Sequence, residues 1–347
     1  MKKKLIWMVV NVCRLAVSAT FIMSGLVKLI DPRGTEYKIH DYLMAMDLEG
    51  ALTHGFLPLV LAVLMSLVEF CLGVYLLFGI RRRLTLSAMF VFMLFYTPLT
   101  LWLAMTDAVA DCGCFGDAIK LTNWQTFLKN IILLLSCAFL WWQRRRIVRF
   151  FPESAQWMIS LLAFCAGLFL ALRCIYDEPV VDFRPFRVGQ HIPTAMQWPE
   201  DPNKQPEIVD FVIEPFDFEG AATQPIQDVE DLLAENSDVF LLTMPHVEMA
   251  DDANLDAINS LYDYAHQSGY RFLALTSSGE AAIMRWRDMT GAEYDFAFMD
   301  ELPLKTVARS NPALVFIHEG TIMGKWSHRH LPSTREIEAL RASEPKK

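Results

Sequence analysis

Two cysteines separated by one glycine are the sharpest chemical signal in the chain. The segment Asp111-Cys112-Gly113-Cys114-Phe115-Gly116-Asp117 sets two thiols side by side. A disulfide across Cys-Gly-Cys closes only a small ring, and the glycine supplies the backbone freedom that this needs. So small a ring is strained, and strained disulfides are easier to reduce. Three chemistries compete at Cys112 and Cys114. The pair can cycle between dithiol and disulfide. It can be a static bridge, with Cys174 as an alternative partner. It can bind metal, although two thiols lack the remaining ligands of a closed zinc site. The other four of the seven cysteines, Cys13, Cys71, Cys137 and Cys165, fall in apolar runs and read as small hydrophobes.

A second signal is charge inside apolar sequence. Arg14 and Glu69 lie in the first two apolar runs, where a charge is costly and faces a partner or a cavity. Counted at 1.5 Å per residue, Arg14 lies ~13 Å beyond Leu5 and Glu69 ~15 Å before Gly79. That matched depth predicts an Arg14–Glu69 ion pair, either a structural clasp or a proton or quinone site. His328 and His330 in Lys325-Trp326-Ser327-His328-Arg329-His330 would share a face of a strand and could hold a metal; histidines at a strand end are more often plain surface residues. No Gly-rich phosphate loop, Ser-His-Asp order or HExxH motif occurs.

The elements that must position these residues follow from composition. The 347 residues are 53% hydrophobic and 20% charged, with a net charge of −9, which argues against a wholly cytosolic protein, a disordered chain and a nucleic-acid binder. Residues 1–176 carry 17 basic and 10 acidic side chains, and residues 177–347 carry 14 and 30, so +7 meets −16. This split predicts a membrane domain followed by a water-soluble one. Five apolar runs, Leu5–Ile30, Gly55–Gly79, Leu84–Met105, Trp124–Trp142 and Trp157–Tyr176, each approach the ~20 residues needed to span a bilayer. The first is too long for a signal-peptide core, which runs ~7–15 residues, so it reads as a retained helix. Lys2, Lys3, Lys4, Arg81, Arg82, Arg83, Arg144, Arg145, Arg146 and Arg149 collect on one side, which the positive-inside rule makes cytoplasmic. The loops 31–54 and 106–123 and everything after Tyr176 then lie outside, in the periplasm of a bacterium with two membranes. Pro98 in Thr97-Pro98-Leu99-Thr100 can kink the third span.

Pro179, Pro185, Pro193, Pro199, Pro202 and Pro206 make residues 177–207 an extended spacer or strap. From Asp210 strands and helices alternate. Strands are expected at Val239–Thr243, Tyr270–Thr276 and Asp295–Met299, and helices at Ala253–Ser268, Glu280–Thr290 and Pro303–Ala308. A hairpin, Ala313–His318 and Thr321–Trp326, and a helix Ser333–Ala342 with a Ser333/Glu336 capping box complete an α/β sandwich on a mixed sheet.

Residues 5–143 resemble the DoxX/MauE family of small helical-bundle membrane proteins. The resemblance rests on Ser24-Gly25-Leu26-Val27-Lys28-Leu29-Ile30-Asp31-Pro32, on Glu69 with Gly73 and Gly79, on the cysteine loop, and on Leu121-Thr122-Asn123-Trp124 with Lys129-Asn130. It implies a four-helix core (1–143) and a link to electron transfer or disulfide maturation on the outer side, with residues 144–176 an added fifth transmembrane helix. Residues 208–347 resemble a thioredoxin-like domain. Asp210-Phe211 and Asp217-Phe218-Glu219-Gly220 look like its opening hairpin, and Ser310-Asn311-Pro312 before Ala313-Leu314-Val315-Phe316 looks like its cis-proline loop. Where such domains carry Cys-x-x-Cys, this chain reads Met244-Pro245-His246-Val247-Glu248-Met249, and no cysteine follows Cys174. That domain cannot exchange thiols itself, and a fold kept for binding or scaffolding is expected; a ligand or base role for His246 is the lesser reading.

The resulting expectation is an inner-membrane protein with thiol-disulfide redox or electron transfer at Cys112 and Cys114. Arg14 and Glu69 serve as a buried pair beside a cofactor site, with quinone the candidate cofactor. The outer domain docks a periplasmic protein without reacting. The alternative is a non-enzymatic membrane scaffold or assembly factor with structural cysteines. The lipid bilayer is a partner in both, and nucleic acid in neither.

Overall fold

A computed structural model describes residues 2–48, 50, 55–109, 112–201, 205–209, 211–216, 232–234 and 237–343. The chain forms two compact units, Met1–Ile175 and Tyr176–Lys347.

The first unit is helical: α1 Lys2–Ile30, α2 Pro32–Ala45, α3 Leu57–Phe78, α4 Arg82–Thr106, α5 Asn123–Trp142 and α6 Gln156–Tyr176, the last closing at the unit boundary. Five of these, all but α2, are long and apolar enough to cross a membrane. Their outward side chains are apolar; Val91 is 64% exposed, Leu162 68% and Phe169 73%. Such a surface needs lipid, not water, around it. Inward, Val10, Val17, Phe21, Leu76, Leu86, Met89, Cys137 and Leu140 form one buried cluster across α1, α3, α4 and α5. Cys71 and Cys137 are buried hydrophobes as expected, whereas Cys165 is exposed.

Antiparallel α1 and α3 touch backbone to backbone. A Cβ on Gly25 would meet the Phe70 nitrogen at 2.5 Å, and one on Gly73 the Ile22 nitrogen at 2.7 Å. Small residues permit this approach, as is usual between helices in lipid. The contact also sets the register. From Gly25 opposite Phe70, eight residues forward along α3 reach its end at Phe78, level with Val17, so Arg14 lies beyond the end of α3.

The region expected to be a loop at 31–54 opens instead with α2. Asp31 caps it by accepting from the Gly34 amide at 2.9 Å, and Pro32 occupies the first turn. An Asp N-cap followed by proline is a helix-start signal. Its neighbourhood was outweighed in the sequence by polar residues and by the lack of an apolar stripe. Pro98 lies within α4, which runs on to Thr106.

Among the described residues, the second unit holds a six-stranded sheet in the order β1-β4-β3-β2-β5-β6. The strands are β1 Glu214–Pro215, β2 Asp238–Thr243, β3 Arg271–Thr276, β4 Asp295–Phe298, β5 Ala313–His318 and β6 Thr321–Ser327. β2, β3 and β4 run parallel, while β5, β6 and β1 are antiparallel to their neighbours. The helices are α7 Ile192–Ala195, α8 Leu255–Ser268, α9 Glu280–Thr290, α10 Glu301–Val307 and α11 Thr334–Ala342. Both sheet faces are covered: Leu241, Leu273 and Val315 belong to one core, and Phe240, Ala274 and Phe316 to the other. Strands buried on both faces read as continuous apolar runs, which is why they stood out in the sequence. The capping box of Ser333 and Glu336 forms. The Asn311–Pro312 bond is cis. Asp210 and Asp217–Gly220, the expected opening hairpin, lie outside the described residues.

The proline-rich segment packs as a strap within this unit. Phe186, Ile192 and Ala195 enter the core, and α7 forms with Pro193 in its first turn. Arg184, 2% exposed, pairs with Asp182 at 2.7 Å and Glu178 at 3.1 Å, and Lys325 reaches Asp182 at 2.8 Å. Glu178 also accepts from the Arg309 and Ser310 amides at 2.9 and 2.8 Å.

Candidate functional site

The cysteine loop joins the end of α4 to the start of α5, and both ends are tied down. Thr122 and Gln125 form a capping box on α5. Asn123 donates to Asp107 Oδ1 at 3.0 Å and to the Val109 carbonyl at 3.1 Å, closing the loop's base. Gly113 takes a left-handed φ of 64° between the two cysteines, a conformation that side chains disfavour. The loop is fastened to α1 and α2: Tyr42 donates to the Cys112 carbonyl at 2.9 Å, and Ser24 donates to the Cys114 carbonyl. Lys129 of α5 lies 4.6 Å over the Phe115 ring, a cation–π contact.

The two sulfurs are in direct contact, 2.7 Å apart. The contact splits their acidities. Cys114 is held below the usual thiol range, first by the hydrogen bond from Cys112; burial opposes this, and the Lys129 and Lys28 ammonium groups add to it. Cys112 is pushed up, by its hydrogen bond to Cys114 and then by burial. A thiolate next to a thiol is the arrangement from which thiol-disulfide exchange starts.

Behind Cys114 lies a cavity of about 20 Å³, space for one water. Ser24, Lys28, Glu69, Tyr96, Lys129 and Asn130 are among its lining residues. Lys28 donates to Glu69 Oε2 at 2.7 Å, both side chains 10% exposed. Asn130 donates to Thr100 Oγ1 at 3.1 Å, joining α5 to α4 beside Pro98. The lining brings one cysteine sulfur, two ammonium groups, a carboxylate and a phenol into one pocket.

The expected Arg14–Glu69 pair does not form. Arg14 donates to the Val148 carbonyl at 3.0 Å and lies 5.2 Å from the Phe150 ring centroid. Glu69 belongs to Lys28. The physical reason is register: with Gly25 against Phe70, Glu69 lies level with Leu26, and Arg14 is twelve residues, ~18 Å, away along α1. Depth counted from the ends of the two apolar runs treats those ends as level, but the first turns of α1 run on past the end of α3. The shared strand face of His328 and His330 is also corrected. β6 ends at Ser327 and residues 328–330 form a 3-10 turn. His328 is buried, 3.0 Å from the Pro312 carbonyl, while His330 pairs with Asp177 at 2.9 Å.

Lys28, Ser24, Tyr42, Tyr96 and Lys129 were not singled out for the site from the sequence. A usable signal existed for Lys28. Ser24 and Lys28 are four apart on one helix face, as are Glu69 and Gly73 on another, and glycines flank both. In the second unit, His246 sits 3.0 Å from Glu301, and Ser278 donates to Glu248 at 2.5 Å. These polar contacts occupy the cysteine-free stretch that follows β2.

No curated protein matches this sequence. Residues 6–143 match the family model described as methylamine utilisation protein MauE. The matched stretch takes in α1 to α5 with the cysteine loop and ends before α6, so the likeness covers the part of the first unit that builds the site.

Proposed function

We propose that the protein is a membrane thiol-disulfide redox protein acting through Cys112 and Cys114. The observation that carries this reading is the contact of the two sulfurs, with the acidity of Cys114 raised beside a buried lysine. In the forward direction the two thiols become one disulfide, releasing two electrons and two protons. A disulfide on a protein partner, or a membrane-held quinone, accepts them and becomes a dithiol or a quinol. Lys28 and Glu69 supply fixed charge behind the reacting sulfur, in place of the Arg14–Glu69 pair. We place the cysteine loop and the second unit on the periplasmic side, with the arginine-rich ends of α3, α4 and α5 cytoplasmic. The strand order of the second unit supports a thioredoxin-like domain, which without cysteine serves to dock the partner.

Thiol trapping tests this. Alkylation of Cys112 and Cys114 only after reduction, with exchange in a redox buffer of moderate potential, is expected. Full function in cells carrying Cys112→Ser with Cys114→Ser would sink the proposal. A periplasm-dependent reporter fused after Lys347 is expected to be active. The cysteine-free second unit favours a second reading, a scaffold or assembly factor with structural cysteines; a bridge that resists mild reduction would select it.

A further inference from the structure

At the ends of α4 and α5 remote from the cysteine loop, Arg81, Arg82, Arg83, Arg144, Arg145 and Arg149 line a cavity of about 480 Å³. The arginines come from two segments, one leading into α4 and one leaving α5. Those segments are locked together. Arg82 donates to the Ile147 carbonyl at 2.6 Å. Arg144 donates to the Trp141 carbonyl at 3.0 Å and stacks 4.6 Å over the Trp141 ring. Trp141 in turn donates to Ser87 Oγ at 3.0 Å, and Ser87 lines the cavity.

Six guanidinium groups around one cavity repel each other. Among the described residues, the carboxylate paired with this set is Glu153, 2.6 Å from Arg149. The excess calls for an anion, and guanidinium forks match phosphate oxygens. The rim identifies the source. Leu84, 63% exposed, lines the cavity, and Trp142, 74% exposed, ends α5; both continue onto the apolar outer faces of membrane-length helices. A soluble phosphate has no use for that surface, whereas acyl chains would cover it.

We propose that this cavity binds the phosphate headgroup of an anionic phospholipid, with its acyl chains along α4 and α5. The assignment is independent of the redox reading, since it needs only that α4 and α5 end at a membrane surface. The test is native mass spectrometry of the full chain in detergent. Dioleoylphosphatidylglycerol, dioleoylphosphatidylcholine and inorganic pyrophosphate are titrated separately. Preferential retention of phosphatidylglycerol is expected. Arg83→Gln with Arg145→Gln removes two lining charges but none of the locking bonds, and should weaken phosphatidylglycerol binding roughly 30-fold while leaving phosphatidylcholine unchanged. Arg83→Lys with Arg145→Lys keeps the charge and should retain most of the binding, which separates loss of the site from loss of the fold. Equal retention of the two lipids, or no change in the Gln variant, overturns the proposal. Binding of pyrophosphate without any preference for phosphatidylglycerol overturns the lipid assignment in favour of a soluble phosphate.

Discussion

Lys28 and Glu69 form a buried ion pair, Nζ to Oε2 2.7 Å, in the wall of the same cavity that Cys114 lines. The pair couples packing to chemistry. The close approach of Gly25 and Gly73 brings α1 and α3 together at this level, and the charges held there act on the sulfur of Cys114. A buried pair of this kind is weak evidence for stability, because desolvation offsets the attraction. Its placement beside Cys114 sets its charges where they act on that thiol's acidity.

Breaking the pair should be costly where removing it is not. Glu69→Gln leaves a buried ammonium without its counter-charge and is expected to destabilise the protein by about 3–5 kcal/mol. Lys28→Met combined with Glu69→Leu is expected to be close to neutral. Thermal unfolding in detergent, followed by circular dichroism, reads both. Equal midpoints for wild type and Glu69→Gln would show that the pair is not felt.

The two thiols should titrate apart. Because Cys114 is lowered, its thiolate persists as pH falls, and its alkylation should reach half its plateau rate below the ordinary thiol value of about 8.5. Cys112→Ala removes the largest cause of the shift, so the half-point should move upward. Iodoacetamide pH–rate profiles on the reduced protein measure this. A half-point at or above the ordinary value in the wild type contradicts the arrangement.

Lys325 should make the second unit more stable in mild base. Burial pushes its pKa down to about 8, with the Arg184 charge adding to this and Asp182 opposing it. Between that value and its unfolded value near 10.5 the unfolded chain binds more protons, so stability rises with pH over that window. The rise is about 3 kcal/mol at most. Lys325→Met should flatten it. Hydrogen exchange of the sheet amides between pH 7 and 10, corrected for intrinsic rates, provides the comparison; parallel slopes in the two proteins would rule the effect out.

The helix contact should be intolerant of even one methyl group. Gly25→Ala places a Cβ 2.5 Å from the Phe70 nitrogen, a backbone atom that cannot rotate away. A loss of about 1–3 kcal/mol is expected. Cys114 alkylation should change with it, since the α1–α3 register carries Lys28. An unchanged melting midpoint would mean that the helices sit further apart.

Much of the architecture was legible in the residues. Five apolar runs predicted the five membrane-length helices, since period and length are local properties. Continuous apolar strands separated by capped helices predicted the mixed sheet of the second unit. α2 was missed because its start signal, Asp31-Pro32, lies in a polar stretch without an apolar stripe. The Arg14–Glu69 pairing failed because register between two helices is decided by where their small residues meet, not by where their apolar runs end.

By itself the sequence determined which segments can lie in lipid, which half is acidic, and that every thiol lies at or before Cys174. These follow from composition and spacing along the chain. The tertiary structure alone decided that Lys28, 41 residues from Glu69, is its partner, and that Cys114 shares their cavity. It also decided that arginines from two distant segments ring one cavity. Pairings of this kind depend on helix register and crossing, which arise only when glycine lets two backbones touch and the surrounding side chains fill what remains.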